Sequence, residues 1–366
     1  MCVLIPRTAI PVRDDILRNA MRQSSIGLPL MEAADTTPHA SRALSRALAA
    51  MSPALDPASI GVVVCIPCYR RPQHLRQTLE SLANQRTHHG FAVVMVENDA
   101  QRSESVPVAT EFLATNKRPG LCVVEPRQGN CHAINAAFET ALATFPSAQS
   151  FLMIDDDEVA SPDWLEQMLS AAEATGADIV GGPVFPHFDD QLKRGLRRHP
   201  AFAPAYRTSG PVPLIYGSGN CLIRRAVLER VGAFDLRFNF LGGGDTDFFH
   251  RCRRLGMRFH WVAEARISET VPPERTKLSW LIARGLRIGA INYHVQRKAT
   301  PTVWLRARLT LKVLAALPYS LVRAARAVLT ERERTIAMHP MTVAVGSVLA
   351  AIGIEPQPYR ASKIST

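Results

Sequence analysis

Phe151-Leu152-Met153-Ile154-Asp155-Asp156-Asp157-Glu158 sets four apolar residues directly against four acids. The apolar half is short and continuous, as expected of a strand buried on both faces of a parallel sheet. Nothing about packing asks for the acidic half, because adjacent carboxylates repel one another. While the chain stays extended, side chains two apart point the same way, so Asp155 and Asp157 share a face. Two convergent carboxylates at a strand end suit a hard divalent cation, Mg2+ or Mn2+, whose remaining ligands can be phosphate oxygens.

The same rhythm of apolar run, polar turn and helix extends to both sides. Ile60–Pro67 reads as a strand, and Pro72 then opens a helix with Leu75, Leu79 and Leu82 at helical spacing. Phe91–Val96 ends in Glu97-Asn98-Asp99, and Leu121–Val124 leads through Arg127-Gln128-Gly129 into a helix from about Asn130 to Thr144. Ser161-Pro162 caps a helix carrying Trp164, Leu165, Met168 and Leu169. Ligands of an open parallel sheet bind outside the carboxyl ends of its strands. Tyr69-Arg70-Arg71, Glu97-Asn98-Asp99, Arg127–Asn130 and Asp155–Glu158 therefore line one crevice.

Farther on, Val212–Ile223 reads as an extended segment broken by glycines, Arg225–Val231 as a short helix closed by Gly232, and Met257–Ala263 as one more strand. Gly242-Gly243-Gly244 precedes Asp245-Thr246-Asp247 and a helix to Leu255 closed by Gly256. Helix capping accounts for one of those two acids. A carboxylate on a glycine-rich loop is also well placed to take a proton from an incoming hydroxyl. No G-x-x-x-x-G-K-[ST] occurs and no G-x-G-x-x-G follows a strand, so neither a P-loop nor a dinucleotide site is indicated. Cys65-Ile66-Pro67-Cys68 matches C-x-x-C inside an apolar strand with no second such pair, which favours buried structural thiols over zinc or redox chemistry.

Charge divides the chain of 366 residues unevenly. Residues 271–366 hold 15 basic and 4 acidic side chains, the whole formal excess of +11, while residues 1–270 carry 28 of each sign. The basic tail is also aliphatic, as in Thr302–Leu329, which favours a membrane surface over nucleic acid as its partner, the alternative being an ordinary helical subdomain packed on the body. Its longest clean apolar run, Met341–Ile354, has 14 residues, too few to span a bilayer. The N-terminus shows no secretory pattern, so the expected location is the cytoplasm, peripheral at the inner face of the cell membrane. Three regions are expected: an N-terminal extension over 1–58, with a helix about Pro38–Met51; a catalytic domain over 59–270; and the basic amphipathic helical region over 271–366.

Taken in order, Pro67 and Tyr69, Glu97-Asn98-Asp99, Asp155–Asp157, Tyr216-Gly217-Ser218-Gly219-Asn220 and Gly243-Gly244-Asp245-Thr246-Asp247-Phe248 resemble the family 2 glycosyltransferases. That family has the GT-A fold, a Rossmann-like, mostly parallel sheet flanked by helices. The Gly-Gly-Asp-Thr-Asp-Phe loop with Arg275, Trp280 and Arg284 is most similar to bacterial exopolysaccharide glucosyltransferases of the succinoglycan ExoM type. The resemblance covers roughly residues 60–297. It implies inverting, metal-dependent transfer of a sugar, glucose by likeness, from a nucleotide diphosphosugar, UDP-linked, to a saccharide acceptor. On the same basis Pro67, Tyr69, Arg71, Glu97, Asn98, Asn135, Asp155 and Asp156 bind the donor, Asp157 and Asp155 hold the metal, and Asp245 is the base. Gly219, Asn220, Asp247, Arg275, Trp280 and Arg284 fall on the acceptor side, with a variable acceptor loop over 183–215. Glu97 departs from the family's usual Asp, Gly244 from the acid that often precedes the base, and Ile134 from a common Arg. The basic tail fits a lipid-linked acceptor. Two other readings are a metal-dependent phosphohydrolase or nucleotidyltransferase, and a basic peripheral protein that binds membrane or nucleic acid without catalysis.

Overall fold

A computed structural model describes residues 46–115, 118–188, 196–330 and 334–355, all within one compact unit, His39–Thr366. Its centre is four adjacent parallel strands in the order β4-β3-β2-β5: β2 (Val62–Cys68), β3 (Phe91–Glu97), β4 (Gly120–Val124) and β5 (Ser150–Met153). Every residue of β2 and β3 is buried, which explains their unbroken apolar character. Alternate side chains feed two separate cores. Val63 and Cys65 pack with α3 (Asn130–Thr144), whereas Val64, Ile66 and Cys68 pack with α1 (Pro72–Ala83), α2 (Ser105–Ala114) and α4 (Trp164–Thr175). Cys65 and Cys68 thus lie on opposite faces of the sheet, both buried and free.

Beyond β5 the sheet becomes mixed. Strand β10 (Cys221–Arg224) runs antiparallel between β5 and β7 (Ile179–Gly181), and β11 (Phe259–Trp261) and β9 (Gly210–Val212) complete that edge. A second sheet of three short strands, β6 (Glu158–Ala160), β12 (Ile267–Thr270) and β8 (Val184–His187), begins immediately after the acidic turn. Helices α5 (Arg225–Val231) and α6 (Gly244–Arg254) follow the expected boundaries closely.

The opposite edge corrects one expectation. Ala47–Met51 is a strand, β1, antiparallel to β4, and not part of a helix; residues 38–45 of that expected helix lie outside the described residues. Ala, Leu and Met favour helices intrinsically, but pairing with an open sheet edge outweighs propensities of a few tenths of a kcal/mol. Arg46, just before β1, buries its side chain against Glu125 and Glu139 at 2.9 and 2.6 Å. The sheet therefore begins ahead of residue 59.

The C-terminal region packs on the catalytic unit. It comprises α7 (Leu278–Lys298), α8 (Val303–Thr330) and α9 (Arg334–Ala351). Helices α7 and α9 approach backbone to backbone: a Cβ at Gly289 would collide with the Val343 carbonyl, and one at Gly346 with that of Leu286. Leu309 and Val313 of α8 join the same core as Cys65 and Phe248. Among the described residues no helix is long and apolar enough to cross a membrane.

Candidate active site

The loops after β2, β3, β4 and β5 meet at one end of the parallel strands, and Asp156 joins two of them. Its Oδ2 accepts the Tyr69 N–H at 2.8 Å, and its Oδ1 accepts from the Arg71 guanidinium at 3.0 Å. Thr78 on α1 donates to the Asp156 carbonyl at 3.2 Å and to that of Glu158 at 2.7 Å. At 3% exposed, Asp156 is the most buried member of the triplet. The chain turns at Asp156 and Asp157, so the alternation expected of an extended strand does not hold there, and both carboxylates converge on the Arg71 guanidinium. Arg70 between Tyr69 and Arg71 adopts φ 55°, a conformation that bulky residues take at a cost. It is held there by Asp99 at 2.5 Å and by the Tyr69 ring, 4.9 Å from its guanidinium.

Acids outnumber bases around the turn. Glu158 accepts the Asp155 N–H at 2.8 Å, and Glu269 on β12 stands directly across the strand pair from Glu158. Against Asp155, Asp156, Asp157, Glu158 and Glu269 stand Arg71, 2.7 Å from Asp157 Oδ2, and Arg275, paired with Glu269. Burial, then Asp157 and Asp156, push the Asp155 carboxyl up to about 8. Burial likewise raises Asp156 to about 6, Glu158 well above the carboxylate range, and Glu269, beside Asp157, above its usual value. A hard cation fits this donor set, since a guanidinium already sits between two of its carboxylates. Among the described residues no three His, Cys, Asp or Glu side chains form a ready metal cage.

Asp245, in the first turn of α6, takes a hydrogen bond from the Gly217 backbone in the loop ahead of β10, and β10 pairs with β5, Cys221 opposite Met153, just before the acidic turn. Cys221 at the start of β10, its thiol raised first by burial, also lies within electrostatic reach of Asp155, Asp245 and Glu158. Burial raises the Asp245 carboxyl, against hydrogen bonds from Thr246 and from the Gly217 backbone. The glycine-rich loop before α6 and the Tyr216–Asn220 loop are thereby joined. Gly219 in the latter leaves room for Glu158, whose carboxylate would overlap any Cβ there.

Several residues expected to touch substrate are instead bonded inside the protein. Both Glu97 oxygens accept backbone N–H groups, of Asp99 at 2.7 Å and Ser105 at 2.8 Å, so this side chain caps the start of α2. Asn98 donates to the Glu125 and Arg127 carbonyls and accepts from Gly129 N–H, pinning the β4–α3 loop. Asn135 exchanges two hydrogen bonds with the Phe234 backbone. Asn220 is satisfied by Trp164 Nε1 and by the carbonyls of Pro183 and Ala265. Asp247 is 1% exposed and binds Arg251 and Lys298 at 2.9 Å each, tying α6 to α7. Pro67 is buried within β2.

Arg275 reaches the acidic site through Glu269, but Trp280 does not. Its ring stacks on Phe202 at 5.7 Å and carries Arg284 at 5.9 Å, joining α7 to the expected acceptor loop. Residues 189–195 of that loop lie outside the described residues. Glu269, a lone acid on a four-residue strand, carries no sequence signal. Gln128, in the turn expected to line the crevice, donates to the Tyr69 hydroxyl at 2.6 Å.

A model of "glycosyl transferase family group 2" matches residues 150–349, and one of "glycosyl transferase family 2" matches residues 63–232. The succinoglycan biosynthesis protein ExoM of Rhizobium meliloti is 32% identical over 240 residues, 63% of this chain and 72% of that protein. The chain belongs to the family 2 glycosyltransferases. A glucosyl-dolichyl phosphate glucuronosyltransferase of Haloferax volcanii is 27% identical over 62% of this glycosyltransferase and 73% of its own length. The fold matches a mannosyltransferase of Pyrobaculum calidifontis, solved with GDP-Man and Mn2+, at TM-score 0.52 and 18% identity, over 84% of this chain and 92% of that one.

Proposed function

We propose that this glycosyltransferase moves a sugar, glucose by likeness, from a UDP-linked donor to a hydroxyl of a lipid-linked saccharide, with inversion, in exopolysaccharide or other cell-surface glycan synthesis. One observation carries the reading: the loop that leads into β10 bonds Asp245, and β10 pairs with β5 just before the surplus of carboxylates on Asp155–Glu158 and Glu269. Asp157 and Asp155 would hold Mg2+ or Mn2+, which when bound would supply charge neutralisation for the departing diphosphate. Asp245 takes the proton of the acceptor hydroxyl as that oxygen attacks the anomeric carbon from the face opposite the leaving group. Burial suits it to this role, because a carboxylate moved towards neutral pKa is a better proton acceptor. The Gly217 amide fixes its orientation. Tyr69, Arg70, Asp99 and Gln128 form the nucleoside side of the crevice, since Glu97 and Asn98 are buried and bonded to the backbone.

The place of action is the inner face of the cell membrane, and α8 supports this. Trp304, Leu311, Leu314, Tyr319 and Val322 face solvent on the side opposite Leu309 and Val313. The helix carries five basic residues and no acid. Both of its long faces are thus apolar, and only one is covered by protein.

Calorimetric titration of UDP and UDP-glucose, with and without Mn2+, tests the donor site. Binding should require Mn2+ and vanish in Asp157→Ala. If neither uridine nor guanosine nor thymidine nucleotides bind, the reading is wrong.

A further inference from the structure

Arg71 is fixed at its backbone, and its tip is held by ion pairs alone. It stands immediately before Pro72 at the start of α1, so the helix sets its Cα. Its side chain remains 39% exposed while the two carboxylates it bridges, Asp156 and Asp157, are 4% and 11% exposed. The two contacts differ in what else supports them. Asp156 also receives the Tyr69 N–H, so the join between the β2 and β5 loops survives without Arg71. Among the described residues Arg71 is the one cation in contact with Asp157. A guanidinium therefore already holds Oδ2 of Asp157, the carboxylate that the donor-site reading gives to a metal ion.

We infer that Arg71 is the exchangeable counter-ion of Asp157: it neutralises the acidic turn in the empty enzyme and transfers to the donor's diphosphate when Asp157 takes up a divalent cation. This rests on the donor-site reading above and adds an order of events to it. Both partners of Arg71 are oxyanions, and a guanidinium binds phosphate oxygens as readily as carboxylates, with a fork that suits two of them. The long side chain can swing about its fixed Cα without disturbing α1. While Arg71 remains on Asp157, a cation alone must displace a favourable ion pair and so binds weakly. Once a diphosphate is present, the displaced guanidinium gains a new partner, and cation and nucleotide each strengthen the other. Free cation without donor then leaves the acidic turn closed.

The inference makes two predictions of opposite sign for one substitution. In Arg71→Gln, Mn2+ alone, followed by the electron paramagnetic resonance signal of the free ion, should bind several-fold tighter, because its competitor is gone. UDP titrated calorimetrically at saturating Mn2+ should bind roughly ten-fold more weakly, because a charged hydrogen-bond partner is lost. Arg71→Lys keeps the charge and should restore most of the UDP affinity. Thermal unfolding of each variant checks that the loop remains folded. If Arg71→Gln weakens Mn2+ and UDP together, Arg71 only shapes the loop and the exchange is overturned. The exchange is equally overturned if neither affinity moves. Asp157→Asn separates the layers: loss of Mn2+-dependent UDP binding there keeps the donor site whatever Arg71 does. Retention of that binding removes Asp157 from the metal site, and the exchange with it.

Discussion

The indole Nε1–H of Trp164 donates to Oδ1 of Asn220 across 2.8 Å, joining α4 to the loop ahead of β10. The Asn220 amide nitrogen donates in turn to the Pro183 and Ala265 carbonyls, so one side chain fastens three segments around the acidic turn. All of these groups are buried, and removing the amide leaves the Trp164 donor and the Ala265 carbonyl without that partner, while the Pro183 carbonyl keeps the Ile267 N–H at 3.1 Å. Asn220→Ala should cost about 3 kcal/mol of stability. In urea unfolding the midpoint should fall, while the acceptor KM of the enzyme that remains folded should hold. A large rise in acceptor KM at unchanged stability would instead put Asn220 in contact with substrate.

Asp245 supports a different kind of substitution. Asn in its place keeps an oxygen for the Gly217 amide but cannot accept a proton. Asp245→Asn should lower kcat by about 10²–10⁴, the range typical of a lost general base. Calorimetric binding of UDP with Mn2+ should stay within about two-fold, because the acidic turn is intact. Equal losses in kcat and in nucleotide affinity would show that Asp245 organises the donor site and is not the base.

These two residues mark what was legible in the chain. The parallel core could be read because each strand is a short apolar run ending in polar residues, and α3 and α5 match their expected bounds. The acidic turn was conspicuous because nothing in packing explains it. The small sheet was not legible, as β6 spans three residues and β8 and β12 four each, too short for any period to show. Glu269 was hidden with it, since its meaning comes from standing opposite Glu158. Asn98 and Asn135 were expected at the donor and Asn220 and Asp247 on the acceptor side, and each is bonded inside the protein. A motif, however, does not tell an inward side chain from an outward one; that depends on which carbonyls and amides the fold brings within reach.

Glu125 offers a test by pH. Burial opposes its charge, yet hydrogen bonds from Arg127 and Arg46 take its carboxyl from an ordinary 4.5 down to about 2. The folded value lies below the unfolded one, so the contribution is fully present above about pH 4.5 and fades as pH falls towards 2. The size of the shift corresponds to about 3 kcal/mol. Glu125→Gln should therefore destabilise the protein by roughly that amount at pH 7, and the gap to the unsubstituted protein should narrow steadily below about pH 4. A constant gap between neutral and acid conditions would mean that packing at this position, and not charge, holds β1 and β4 together.

The last expectation concerns the uncovered face of α8. Leu311 is 68% and Trp304 69% exposed, and Arg308 lies 5.8 Å over the Trp304 ring. Large apolar side chains flanked by cations lower their free energy at an anionic bilayer surface, where rings and chains enter the interface and each Lys or Arg adds about 1 kcal/mol. The unsubstituted enzyme should co-sediment with phosphatidylglycerol-containing vesicles, less so at high salt, and bind phosphatidylcholine vesicles weakly. Leu311→Asp together with Val322→Asp should abolish sedimentation, since both side chains lie on the exposed face and their loss leaves Leu309 and Val313 in the core. Transfer to a short water-soluble acceptor should be unaffected, whereas transfer to a lipid-linked acceptor in vesicles should fall with the binding. Equal losses on both acceptors would show that this face of α8 supports the fold or the site and does not dock on lipid.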